Sequence, residues 1–153
     1  MTPPALHRRG RLSRDGCGVE TAVAVFAGRK HEVTILLVED ADDLRELIGL
    51  MLDAPGRHVL SAANQAEALE LARSTPIDLL ITDVALPGLD GLEIARQLRS
   101  LQPDLRVLFI SGWYDHPKFP RLERENLLGK PFSRDTLNEA VVRALRGRPG
   151  QPA

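Results

Sequence analysis

The chain has a single cysteine, Cys17, among its 153 residues. With no second thiol, no disulfide can close within it, and such usage fits a reducing compartment. Aromatic residues make up only 4% of the total, so a core has to be built from Leu, Ile, Val and Ala. No apolar run approaches the ~20 residues that cross a bilayer. The longest near the start, Thr21 to Ala27, is too short and too late for a signal-peptide core, and Asp15 and Glu20 interrupt its approach. An excess of one charge is lacking too: 20 Lys and Arg stand against 21 Asp and Glu. That balance gives no global attraction to nucleic acid or an anionic membrane. The expectation is a cytoplasmic protein with no membrane and no nucleic-acid partner.

What is present is ordinary globular composition, 43% hydrophobic and 27% charged, which excludes a wholly disordered or fibrous chain. The charge is unevenly spread. Residues 1–31 carry Arg8, Arg9, Arg11, Arg14, Arg29 and Lys30 against Asp15 and Glu20, while the remainder is mildly acidic. With Pro3, Pro4, Gly10, Gly16 and Gly18 and no sustained period, 1–31 is expected to be a basic flexible arm. Residues 32–146 are expected to form one domain, and 147–153, rich in Gly and Pro, a disordered tail.

From residue 32 the pattern becomes regular. Val33–Val38 is a continuous apolar run with no alternation, the mark of a strand buried on both faces. Leu44, Leu47, Ile48, Met51 and Leu52 then follow helical spacing up to Pro55-Gly56. Further strands are expected at 58–62, 77–83, 105–111 and 126–129. Between them lie an Ala-rich helix carrying Ala68 and Ala72 and a helix carrying Leu92, Ala95, Leu98 and Leu101. Pro87-Gly88 and Asp90-Gly91 mark a turn-rich loop. Pro117 and Pro120 leave room only for a short helix after the fourth strand. Ser133 can cap a last helix bearing Leu137, Ala140, Val141, Ala144 and Leu145. Strands alternating with helices argue an α/β fold, a doubly wound five-stranded parallel sheet with helices on both faces. In such sheets ligands bind at the C-terminal ends of the strands.

At those ends stand Glu39-Asp40, Asp83, Ser111 and Lys130. In the flavodoxin-like order 2-1-3-4-5 the first and third strands are neighbours, so three carboxylates converge. Close carboxylates stay ionised only with help from a cation. Oxygen donors with room for water suit Mg²⁺. A metal with Lys130 makes a place for a phosphoryl group, Ser111 can donate to it, and Asp83 can act as nucleophile. Asp42 and Asp43 are expected to cap the first helix and are kept out of the site. His31, His58 and His116 have no metal-ligand spacing.

Leu37-Val38-Glu39-Asp40, Asp83 through Gly91, Phe109-Ile110-Ser111-Gly112 and Lys130-Pro131-Phe132 together resemble the receiver domain of two-component response regulators, over about residues 32–146. The resemblance implies that Asp83 is the phosphoacceptor and Asp40 a direct Mg²⁺ ligand. It implies that Glu39 holds the ion through water and that the backbone carbonyl of Ala85 completes the protein ligands. Ser111 and Lys130 are then the phosphoryl-contacting pair, and the Lys130–Pro131 peptide is cis. It also implies a histidine kinase or phosphotransfer protein as donor, with output through protein–protein contact; a homodimer stays open. One departure is Leu127, which stands where the family carries its switch aromatic, and the Ser111–Lys130 interval is short. The block around Ser111 and Lys130 is similar to receivers of hybrid histidine kinases and to single-domain regulators. Too few residues follow the last helix for a second domain, which disfavours a transcription factor. The rival readings are a pseudo-receiver that binds partners without phosphorylation and a Mg²⁺-dependent phosphatase. Ala85 stands where the phosphatase would need a second acid.

Overall fold

The computed structural model describes residues 32–86, 88–112 and 126–147. The expected arm, the short helix after the fourth strand and most of the tail lie outside the described residues. The elements run β1 (Val33–Val38), α1 (Asp42–Leu52), β2 (Arg57–Ala62), α2 (Gln65–Ser74), β3 (Leu79–Asp83), β4 (Ala85–Leu86), β5 (Leu89–Asp90), α3 (Gly91–Leu101), β6 (Arg106–Ser111), β7 (Leu127–Gly129) and α4 (Arg134–Arg146).

Five strands form one parallel sheet in the order β2-β1-β3-β6-β7, the flavodoxin-like order anticipated from the strand pattern. Successive side chains of a strand point to opposite faces, and here both faces are covered. Ile35 and Leu37 of β1 join Ile81, Leu108 and Ile110 under α1 and α4, with Ile48, Leu137 and Val141. Leu36 and Val38 join Leu80, Val107 and Phe109 under α2 and α3, with Ala68, Ile94 and Leu98. That is why β1 reads as an unbroken apolar run. β1 and β3 are neighbours, and the connections leave them in opposite directions along the sheet, so the switch point lies between them.

Of the four helices among the described residues, three begin on a side-chain cap. Asn64 accepts from Glu67 N, Asp90 from Leu92 N and Ser133 from Thr136 N. Helix α1 differs: its N-cap is Ala41, which offers no side-chain acceptor. Asp42 and Asp43 lie one step inside, in the first turn, and the Asp42 carboxylate pairs with Arg45 instead of capping. The helical stripes are also narrower than their spacing suggests. Leu47 is 48% exposed and Leu101 44%, because each lies at the edge of its stripe, beyond the reach of the sheet.

The turn-rich loop after β3 proves to be ordered. β4 and β5 pair antiparallel, Ala85 opposite Asp90 and Leu86 opposite Leu89. Gly88 turns between them at φ +72°, a conformation glycine adopts without steric cost.

Candidate functional site

Parallel strands bring their C-terminal ends to one edge of the sheet. Glu39 and Asp40 follow β1, Asp83 closes β3, Ser111 closes β6 and Lys130 follows β7. The register aligns them: Asp83 lies opposite Ile110 and Ser111 opposite Gly129, while Lys130 N donates to Ser111 O at 2.9 Å. The Lys130–Pro131 peptide is cis.

Lys130 is the centre of the charge arrangement. Its Nζ donates to Asp83 Oδ2 and lies 3.6 Å from Glu39 Oε2. The other Asp83 oxygen, Oδ1, accepts from Ala85 N at 2.9 Å. Glu39 is buried and its Oε1 accepts from Ala41 N at 3.2 Å. Asp40 is exposed, beside a groove of about 360 Å³ lined by Asn64, Gln65, Leu86, Gly88 and Ile94. Ser111 is buried at its strand end. A larger groove, about 790 Å³, runs along α4 and contains none of these residues; the chemistry is at the strand ends, where the charges are.

Burial raises the pKa of the Glu39 carboxyl. The bond from Ala41 and the Lys130 charge oppose that rise, and the Asp40 side chain and the Asp83 charge add to it. For Lys130, burial favours the neutral form, but the hydrogen bond and charge of Asp83, with Glu39 behind them, prevail and its pKa rises. So the ammonium is held charged between two acids.

The backbone fixes Asp83 from behind. A Cβ on Gly91 would lie 2.1 Å from the Asp83 carbonyl oxygen and 3.1 Å from Val84 Cα. Gly91 N donates to Val84 O at 2.9 Å, and Val84 N to Ile110 O at 3.1 Å. The buried Thr82 hydroxyl donates to Asp83 O at 3.0 Å. Only glycine lets α3 start against the strand that carries Asp83.

Every residue picked from the sequence for this site lies in the described part, and the sheet brings Glu39, Asp83 and Lys130 into direct charge contact. Among the described residues no group of three or more His, Cys, Asp or Glu side chains is gathered into a metal-holding cluster; the positive charge between Glu39 and Asp83 is that of Lys130. The donor chemistry nevertheless fits a hard cation. Glu39, Asp40 and Asp83 offer only oxygen, and Glu39 is disfavoured as an anion first by burial and then by its two acidic neighbours. Two contributors were not singled out from sequence. Gly91 stood out only as part of the turn and of the Asp83–Gly91 block, and Arg45 did not stand out at all. Leu127 opens β7, half-buried against the core under α2 and α3.

The chain has counterparts among known proteins. The family model for the response regulator receiver domain matches residues 35–142. The chain is 38% identical over 109 residues to the response regulator receiver protein CpdR of Brucella abortus, covering 69% of this chain and 91% of that protein. It is 34% identical to the sensor kinase CckA of the same organism, covering 73% of this chain but only 12% of the kinase. A crystal structure of the receiver domain from the hybrid histidine kinase CckA superposes with a TM-score of 0.62 at 38% identity, covering 74% of this chain and 99% of that domain. The chain belongs to the response regulator receiver family of two-component systems. Among the described residues, no helix is long and apolar enough to cross a membrane.

Proposed function

We propose that the chain accepts a phosphoryl group on Asp83 from a phosphohistidine of a histidine kinase or phosphotransfer protein, and passes the signal on as a changed protein–protein contact. The observation that carries this reading is the charge contact of Lys130 with both Asp83 and Glu39 at the strand ends. An Asp83 carboxylate oxygen bonds to phosphorus as the phosphorus–nitrogen bond to imidazole breaks, and the leaving imidazole takes a proton. As Asp83 gives up its charge, the Lys130 ammonium pairs with a phosphoryl oxygen. Ala85 N–H keeps Oδ1 in place, and the Ser111 hydroxyl donates to the arriving group. Glu39, Asp40, Asp83 and the Ala85 carbonyl would hold Mg²⁺, and the chemistry it supplies when bound is neutralisation of the crowded oxygens. The chain lowers the barrier mainly by positioning and charge.

A second reading, a pseudo-receiver that binds partners unphosphorylated, is favoured by Leu127 and by the short Ser111–Lys130 interval. The two readings separate by intact mass after incubation with Mg²⁺ and acetyl phosphate. We expect one phosphoryl adduct on the wild type and none on Asp83→Asn or without Mg²⁺. An adduct of equal yield on Asp83→Asn would sink the assignment. No adduct on the wild type from either acetyl phosphate or a phosphorylated histidine phosphotransfer protein favours the pseudo-receiver.

A further inference from the structure

Helix α1 lacks a side-chain cap where the other three helices have one, yet it follows the turn that carries both Glu39 and Asp40. Beside the Ala41 N–H bond to Glu39 Oε1, Arg45 secures that turn. Its guanidinium reaches back six residues and donates through Nη1 to the Glu39 carbonyl at 2.9 Å. Through Nη2 it donates to the Asp42 carboxylate at 2.5 Å. The side chain is only 20% exposed, while that of Asp42 is 85% exposed. The fork thus has an exposed anchor on one side and the Glu39–Asp40 peptide on the other. The Glu39 carbonyl and the Asp40 N–H belong to one rigid peptide plane. Fixing that carbonyl restricts Glu39 ψ and Asp40 φ, two of the torsions that aim the acidic side chains.

We propose that Arg45 is a positioning residue for the cation site: it orients the Glu39–Asp40 peptide so that the two carboxylates act together on the Asp83 side of the sheet. This rests on the Mg²⁺ reading above. It makes a prediction opposite in sign to simple electrostatics. A guanidinium beside an acid pair repels a cation, so on charge alone its removal would tighten Mg²⁺ binding. If Arg45 positions the ligands, its removal weakens binding. A guanidinium fork also differs from an ammonium, which cannot serve both acceptors in a fixed plane.

The test is calorimetric Mg²⁺ titration of the full chain, with Arg45→Met, Arg45→Lys and Asp40→Asn beside it. Unfolding midpoints are measured without Mg²⁺. We expect the wild type to bind one ion and Asp40→Asn to lose it. Arg45→Met should raise Kd about tenfold or more, the usual scale for loss of a group that orients metal ligands. Arg45→Lys should give a smaller rise. A Kd for Arg45→Met equal to or below wild type overturns the proposal, as does a lowered unfolding midpoint with unchanged Kd, since that marks a purely structural role. Should Arg45→Met not fold, Arg45→Lys decides: it keeps the charge, so a wild-type Kd overturns the proposal and a raised one supports it. A wild type that binds no Mg²⁺, or an Asp40→Asn that binds like wild type, overturns the Mg²⁺ reading itself and the proposal with it.

Discussion

Lys130 has two acidic partners and only one ammonium to share between them. It therefore fills two roles that mutation can separate. On the proposed reading, it competes as a cation with any ion bound among the carboxylates, and as a donor it would stabilise an incoming phosphoryl group. Lys130→Ala is expected to keep binding Mg²⁺, with a Kd no higher than wild type, because a competing charge is gone. Its phosphorylation rate should fall about 10²-fold, the scale for loss of one well-placed electrostatic donor. Titration calorimetry and time-resolved intact mass read the two effects independently. A variant that labels as fast as wild type contradicts the second role.

At the scale of elements, the β3–α3 connection is the most constrained segment near the site. β4 and β5 fold it back on itself, Asp90 caps α3, and Gly91 allows the helix to begin in contact with the Asp83 carbonyl. Gly91→Ala must push α3 and β3 apart, since the obstacle is backbone and cannot turn aside. We expect a loss of about 3 kcal/mol, the upper part of the usual overpacking range, seen as a lower urea midpoint. Asp83 labelling should slow as well, because Ala85 N–H moves with the loop. Much of this layer was legible beforehand. The apolar run of β1, the caps Ser133 and Gly88's turn all follow from residue chemistry. The hairpin was not, because two-residue strands have no period to detect. Leu47 and Leu101 have the right spacing for a core yet lie at stripe edges, and spacing alone does not say how far a neighbouring sheet extends. Arg45 was invisible for a different reason: its acceptor in the turn is the Glu39 peptide carbonyl, a group every residue has.

For the whole molecule, the sheet is a partition with a separate apolar cluster on each side, and every central strand feeds both. Leu36 and Leu37 are adjacent in sequence, both essentially fully buried, and belong to opposite clusters. Neither cluster can loosen while the strand that supplies the other stays in place. Leu36→Ala and Leu37→Ala are therefore each expected to cost about 2–5 kcal/mol from one shared transition. Hydrogen exchange of amides in α1 and α4 and of amides in α2 and α3 should report the same opening free energy in both variants; different values on the two sides would show that they unfold independently.

The acid pocket and its counter-charge come from opposite ends of the domain. Lys130 is 47 positions beyond Asp83 in the chain, and it follows the last and shortest strand of the sheet, β7, of three residues. A polypeptide still emerging from the ribosome thus exposes its carboxylates well before the ammonium that pairs with them. Until β7 docks beside β6, Glu39 and Asp83 face each other without that partner. A chain cut short before Lys130 carries both carboxylates but not the charge that balances them.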